Sequence, residues 1–125
     1  MATIAKKRVL LVEDDPVIAM VMEDVLLHMG LEVLVNHSLA NALNEIELAD
    51  VDVALVDMGL RGESARPLVQ RLTARATPFA VVTGGDPAAL KAEFPGVLIA
   101  AKPLGLSALE HMVRELLGQR TTSAC

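Results

Sequence analysis

Short apolar runs recur along the chain and are separated by polar segments or by segments that contain Gly or Pro. They predict β-strands at residues 8–12, 31–36, 53–57, 78–83 and 97–101. The run at 53–57 is apolar up to its final Asp57, which is typical of a strand covered on both faces. We therefore expect this strand to lie in the middle of a sheet that is layered between helices.

Helix-start signals and apolar residues at helical spacing predict five α-helices between and after the strands. The predicted caps share a side-chain oxygen that can accept hydrogen bonds from the free N–H groups of a first turn. They are Asp15, Ser38, Ser64 and Asp86. Proline follows both aspartates, as favoured at a first helical position, and these two helices are predicted to end near residues 29 and 94. The last helix is predicted at residues 107–117.

The helical spacing also predicts which faces are buried. The second, third and last helices are expected to pack through Leu39, Ala42, Leu43, Ile46, Leu68, Val69, Leu72, Leu109, Met112, Val113 and Leu116. Arg66 and Arg71 are expected to point outward. Strict alternation of strands and helices with right-handed crossovers predicts an α/β, flavodoxin-like doubly wound sheet. The expected order of its five parallel strands is 2-1-3-4-5.

The length of 125 residues is that of one domain, which is predicted at residues 1–118. Residues 119–125 are expected to form a short disordered tail, and no output domain is expected after it. The net charge of −5 argues against non-specific nucleic-acid binding. No apolar run approaches the roughly 20 residues that span a bilayer. The single cysteine, Cys125, excludes an internal disulfide and fits a reducing compartment. We expect a cytoplasmic protein that binds neither nucleic acid nor membranes.

Polar side chains follow four of the predicted strands. Glu13 and Asp14 come after the first strand, Asp57 ends the third, Thr83 ends the fourth and Lys102 follows the fifth. In the predicted topology these strand ends share one edge of the sheet, where open α/β sheets bind ligands. Taken singly, each residue also fits a helix cap, a tight turn or a solvated loop. Their convergence on one crevice favours a functional site.

The chemistry of this set favours phosphoryl transfer. Crowded carboxylates raise one another's pKa unless a cation compensates, and oxygen ligands without His or Cys favour Mg²⁺. With Mg²⁺ present, Asp57 can act as a nucleophile toward phosphorus and form an aspartyl phosphate. Lys102 can stabilise the charge on the transferring group. Thr83 can donate a hydrogen bond to a phosphoryl oxygen.

From Arg8 to Leu117 the sequence resembles a response-regulator receiver domain of two-component signalling. The resemblance rests on VLLVEDD at residues 9–15, LVDM at 55–58, VVTG at 81–84 and Lys102-Pro103. It implies a stand-alone signalling phosphoacceptor that catalyses only its own phosphorylation and dephosphorylation. The phosphoryl group would come from a histidine kinase or a histidine phosphotransfer protein. The downstream protein is unknown.

The resemblance also implies roles for individual residues. Glu13 and Asp14 form the acidic pair, with Asp14 as a direct Mg²⁺ ligand beside Asp57. The Gly59 carbonyl completes the metal site. Thr83 would supply the switch hydroxyl and Lys102 the catalytic ammonium. Pro103 would follow a cis-peptide bond.

The sequence departs from the receiver pattern at several positions. Ile99 and Leu104 stand where aromatic residues are usual, which puts the coupling of Thr83 to an aromatic switch in doubt. Arg61 stands where proline is common. Residues 78–85, PFAVVTGG, partly resemble the Phe-Ala-Thr-Gly signature of a subgroup of stand-alone receivers from alphaproteobacteria.

Two glycines in the site are also informative. Gly59 and Gly85 lie two positions after Asp57 and Thr83, so no side chain there shields or activates an attacking water. The phosphoryl lifetime is therefore expected to depend on the backbone and on solvent access.

Other functional classes fit less well. A haloacid-dehalogenase-type phosphatase needs a second Asp where Gly59 stands, and a flavin or dinucleotide module needs a Gly-rich loop after the first strand. The alternative that stays open is a receiver fold kept as an interaction scaffold with vestigial phosphorylation. Ile99 and Leu104 would then form an exposed apolar patch. A homodimer through the face of the fourth helix, fifth strand and fifth helix is also predicted.

Overall fold

Five parallel strands form one sheet in this computed structural model, which describes residues 6–123. The strands are β1 Arg8–Val12, β2 Glu32–Asn36, β3 Val53–Asp57, β4 Phe79–Thr83 and β5 Leu98–Ala101. Their order in the sheet is β2-β1-β3-β4-β5, and every neighbouring pair is parallel. The predicted doubly wound α/β fold is confirmed.

Five helices cover the two faces of the sheet. They are α1 Pro16–His28, α2 Leu39–Leu48, α3 Arg66–Ala74, α4 Pro87–Glu93 and α5 Leu106–Ser123. Three of the four predicted caps are confirmed. Asp15 accepts a hydrogen bond from the Val17 N–H at 2.9 Å, Ser38 from Asn41 at 3.2 Å and Asp86 from Ala88 at 3.0 Å.

The fourth predicted cap, Ser64, lies one residue before the cap position of α3, but its Oγ accepts a hydrogen bond from the N–H of Arg66, the first residue of that helix, at 3.2 Å. Ala65 occupies the position before α3, and its side chain has no capping oxygen. Ser64 belongs to a short antiparallel hairpin, Gly59–Leu60 with Glu63–Ser64. The two turn residues, Arg61 and Gly62, have φ angles of 51° and 84°, as a type I′ turn requires. Residues 59–64, between β3 and α3, therefore form a small ordered structure.

Helix α5 is longer than predicted. It begins at Leu106 and continues to Ser123, whereas the sequence predicted an end at Leu117. Residues 119–123, assigned to the tail, therefore continue the helix in the backbone. Residues 124 and 125, including Cys125, lie outside the described residues.

The sheet separates two hydrophobic cores. Leu10, Val56 and Val81 face one core with α2, α3 and α4, while Leu11, Leu55 and Ala80 face the other with α1 and α5. All five residues of β3 and of β4 are buried. Burial on both faces explains their nearly continuous apolar runs.

The predicted apolar patch at Ile99 and Leu104 is not found. Both side chains are half-buried, Ile99 against the first core and Leu104 against the second. Most of the exposed large apolar side chains among residues 6–118 lie on α1 instead. They are Val17, Ile18, Met20, Val21 and Leu27. No helix in the described part of the chain is long and apolar enough to cross a membrane.

Candidate functional site

The carboxyl ends of the strands bring the predicted polar residues together. Asp14, Asp57, Thr83 and Lys102 all line one open cavity of about 580 Å³. Glu13 lies directly beside them, with only 2% of its surface exposed. The parallel register of the strands places their ends at the same height, so side chains far apart in sequence meet at this edge.

Lys102 joins two buried carboxylates. Its Nζ lies 2.9 Å from Asp57 Oδ2 and 2.9 Å from Glu13 Oε1. Its backbone N–H donates to the Thr83 carbonyl at 2.8 Å, and the Lys102–Pro103 peptide bond is cis. Burial works against the charged ammonium, but the hydrogen bonds to the two carboxylates outweigh it and raise the pKa of Lys102.

Asp57 is held at both carboxylate oxygens. Oδ2 accepts from Lys102, and Oδ1 accepts a hydrogen bond from the Gly59 N–H at 3.2 Å. The side chain is only 5% exposed although it lines the cavity. The carboxylate is therefore fixed in orientation at the base of an open site.

Three carboxylates stand close enough to share a cation. Glu13, Asp14 and Asp57 each offer an oxygen, and these atoms all lie within 4.8 Å of one another. The donors are hard oxygens, with no His or Cys among them, which suits Mg²⁺. The arrangement therefore fits a magnesium ion, and the Gly59 backbone lines the same cavity.

The two members of the acidic pair have opposite pKa shifts. The pKa of Glu13 is raised to about 7, first by burial and also by the neighbouring Asp14 and Asp57, while the hydrogen bonds from the Asp15 N–H and from Lys102 act to lower it. Burial also acts to raise the pKa of Asp14, but the hydrogen bonds to Glu13 and to the Arg61 N–H outweigh it and lower that pKa. Of the two carboxylates, Glu13 therefore binds a proton more readily than Asp14.

Arg61 contributes through its backbone. Its N–H donates to Asp14 Oδ2 at 2.9 Å, and its φ of 51° is in the left-handed region. Proline has no N–H and fixes φ near −65°. The replacement of the usual proline therefore has a structural reason, because only a residue with an N–H and access to positive φ can hold Asp14 here.

Thr83 lines the cavity and is 7% exposed. Its Oγ1 accepts a hydrogen bond from the Gly85 N–H at 2.9 Å. Because that bond uses the oxygen as an acceptor, the hydroxyl proton stays available for donation to a ligand. Ile99, the other predicted switch position, packs on the first core and does not line the cavity.

Sequence reasoning missed Arg66 as a part of this site. Arg66 and Ser64 line the cavity together with Asp57 and Lys102. The Arg66 guanidinium forms two hydrogen bonds to Glu93. No local pattern could reveal this pair, because its partners lie on different helices and meet only in the folded chain.

Comparison with known proteins places these motifs in a family. The family model of the response regulator receiver domain matches residues 9–114. No curated protein sequence matches the chain.

Solved structures show the same fold. A CheY-like receiver domain protein from Methanospirillum hungatei JF-1 superposes with a TM-score of 0.85 at 22% identity, covering 95% of this chain and 99% of that one. SdrG from Sphingomonas melonis Fr1 gives a TM-score of 0.77 at 32% identity, with 92% and 99% covered. A putative response regulator from Chloroflexus aurantiacus J-10-fl gives 0.79 at 29% identity, with 91% and 99% covered.

Proposed function

This chain belongs to the response regulator receiver domain family, and we propose that it accepts a phosphoryl group from a phosphohistidine onto Asp57 in the presence of Mg²⁺. The observation that carries the proposal is the position of Asp57. Its carboxylate is buried to 5% exposure, faces an open cavity, and stands beside two further carboxylates and an ammonium. The proposed output is binding of a downstream protein or onward phosphotransfer.

In the proposed step, a carboxylate oxygen of Asp57 attacks the phosphorus of the donor. An oxygen–phosphorus bond forms, and the bond from phosphorus to the imidazole nitrogen breaks. The nitrogen keeps the electron pair and takes up a proton. Lys102, bonded to Asp57 at 2.9 Å, is in place to offset the charge of the transferred group. Thr83 is in place to donate its hydroxyl proton to a phosphoryl oxygen.

Glu13, Asp14, Asp57 and the Gly59 carbonyl would hold the magnesium ion. When bound, Mg²⁺ offsets the repulsion between the anionic carboxylates and the anionic phosphoryl group. Glu13 must give up its proton to act as a full anion, so its raised pKa opposes metal binding in mildly acidic solution.

The donor, a histidine kinase or a histidine phosphotransfer protein, is proposed to dock on α1. A groove beside the site is lined by Glu13 and Lys102 together with Val17, Ile18 and Val21. The three apolar side chains are exposed. Since a phosphohistidine is carried by another protein, its surroundings must contact the rim of the site, and apolar area next to that rim favours such contact.

The scaffold hypothesis and the homodimer through α4, β5 and α5 remain a second candidate. The exposed apolar side chains of α1 favour partner binding in either case. The patch expected at Ile99 and Leu104 no longer supports a scaffold, because both side chains pack against the cores. We therefore favour phosphoacceptance.

The proposal is tested by incubating the protein with Mg²⁺ and acetyl phosphate and following its intact mass. We expect one added phosphoryl group on the wild type. Asp57→Asn and an EDTA-treated sample serve as controls and should gain none. If the wild type gains no phosphoryl group from acetyl phosphate or from a phosphohistidine donor, with hydrolysis slowed by rapid quenching, the scaffold hypothesis replaces this one.

A further inference from the structure

Arg66 connects the cavity to helix α4. It is the first residue of α3 and lines the cavity that contains Asp57. Its Nε and Nη2 donate to the two carboxylate oxygens of Glu93 at 2.6 and 2.7 Å. Its Nη1 donates to Ser64 Oγ at 3.0 Å, and Ser64 also lines the cavity. The guanidinium therefore stands between the candidate site and the last residue of α4.

Helix α4 has few other anchors. It is seven residues long, and Leu90 is its one buried residue. Phe94, the residue after it, is half-buried. Such a short element lies at the low end of local stability and responds to small changes in its contacts. The paired Arg66 and Glu93 side chains are both partly exposed, and ion pairs in such positions contribute little free energy. Arg66 can therefore leave Glu93 for another partner at a small cost in free energy.

Phosphorylation would change the charge balance around Arg66. A phosphoryl group on a side chain adds about 1.5 to 2 negative charges at pH 7. Among the described residues that line the cavity, the cations are Arg66 and Lys102, and Lys102 is already shared between Glu13 and Asp57. The planar guanidinium fork matches the geometry of phosphate oxygens.

We propose that Arg66 binds the phosphoryl group on Asp57 and leaves Glu93 when it does so, which releases the C-terminal end of α4. The inference rests on the proposed phosphoacceptor function of Asp57. Arg66 thus acts as a phosphoryl-binding residue and as the connection from the site to α4. This connection does not need an aromatic side chain at the position of Ile99, which is half-buried and packs against the first core.

Two substitutions test the exchange because they act in opposite directions. Arg66→Ala removes the ligand for the phosphoryl group, whereas Glu93→Gln removes its competitor. We expect Arg66→Ala to weaken the binding of beryllofluoride, a phosphoryl mimic, to the Mg²⁺-loaded protein by roughly tenfold. We expect Glu93→Gln to tighten it by about threefold.

Arg71→Ala is the matched control. Arg71 lies on the same helix and is paired with Glu47, but it does not line the cavity. Its removal should leave beryllofluoride affinity unchanged. Titration calorimetry measures the affinities. Backbone amide NMR signals of residues 88–94 should shift on binding in the wild type and much less in Arg66→Ala.

Each result has a distinct meaning. If the wild type binds no beryllofluoride and accepts no phosphoryl group, the proposed function itself fails. If the wild type binds it and Arg66→Ala binds it equally well, only the role of Arg66 is overturned. If Arg66→Ala and Glu93→Gln both weaken binding, the pair is merely structural and the exchange is likewise overturned.

Discussion

Each of the three carboxylates of the site has a compensating partner, and two of them share one. Lys102 serves Glu13 and Asp57 at 2.9 Å, and the Arg61 N–H serves Asp14 at 2.9 Å. Without such partners, three carboxylates this close would repel strongly. These partners therefore offset part of the repulsion and orient the three carboxylates, of which Asp14 and Asp57 line the cavity.

Two glycines near the site would leave a phosphoryl group on Asp57 open to water. A Cβ added at Gly59 would meet no atom within 4 Å, and one at Gly85 would lie 3.5 Å from Thr83 Oγ1. Both positions can therefore accept a side chain. We expect Gly59→Asn and Gly85→Glu to change the rate of dephosphorylation by a severalfold factor, measured from the decay of the phosphorylated mass. Unchanged rates in both variants would contradict the dependence on backbone and solvent access.

At the scale of elements, the hairpin at residues 59–64 links Asp57, the proposed phosphoacceptor, to Asp14 of the acidic pair. Its type I′ turn turns the Arg61 N–H toward Asp14, while its first residue, Gly59, donates to Asp57. A single small element thus supports two of the three carboxylates. Its backbone geometry matters more than the Arg61 side chain.

We expect Arg61→Pro to disrupt this hairpin. Proline lacks the N–H that Asp14 accepts and cannot adopt a φ of 51°. The unfolding free energy should fall by about 2 kcal/mol, and Mg²⁺ affinity should fall with it. Arg61→Gly keeps both the N–H and the positive φ, so it should resemble the wild type. Equal effects of the two substitutions, measured by urea unfolding and calorimetry, would show that the side chain is what matters.

Helix α1 is the element proposed to receive the phosphohistidine donor. Ile18 is 40% exposed and lines the groove beside the site, whereas Met20 is 62% exposed on the same helix but lies outside that groove. We expect Ile18→Asp to slow phosphotransfer from a phosphorylated histidine protein roughly tenfold and to leave phosphorylation by acetyl phosphate unchanged. Met20→Asp should slow neither. If Ile18→Asp slows phosphorylation by the histidine protein and by acetyl phosphate alike, the substitution damages the site itself and does not act on docking.

For the whole molecule, the sheet buries an ionisable group at its functional edge. Glu13 is 2% exposed, and its pKa is raised from 4.5 to about 7, first by burial. At pH values between 4.5 and about 7, Glu13 binds more protons in the folded state than in the unfolded state. The contribution of Glu13 to the stability of the folded state is therefore complete below pH 4.5, and it is lost as the pH rises through about 7.

We therefore expect the metal-free protein to become less stable as the pH rises through this window. A single proton contributes a slope of at most about 1.4 kcal/mol per pH unit. Urea unfolding in EDTA, followed by circular dichroism, measures it. The side chain of Glu13→Gln cannot titrate. The difference in unfolding free energy between the wild type and this variant therefore reports the titration of Glu13 without that of the histidines. A difference that does not vary with pH would refute the assignment.

The sequence by itself determined the architecture and which polar residues meet at the edge of the sheet, with the exception of Arg66. Apolar runs and capping residues depend on neighbours along the chain, so they predicted the five strands and three of the caps correctly. Strand ends follow from the runs, and the parallel topology then brings Asp14, Asp57 and Lys102 to one edge. The receiver family, predicted from the motifs at those ends, is confirmed.

Only the tertiary structure decided how the site is connected to the rest of the protein. The pairing of Arg66 with Glu93 joins residues of different helices, and the positive φ of Arg61 is set by a hairpin that the sequence did not suggest. Most of the exposed large apolar side chains likewise lie on α1, whereas Ile99, where such a surface was predicted, packs against the first core. Such features depend on which surfaces meet after folding, and local periodicity does not contain that information.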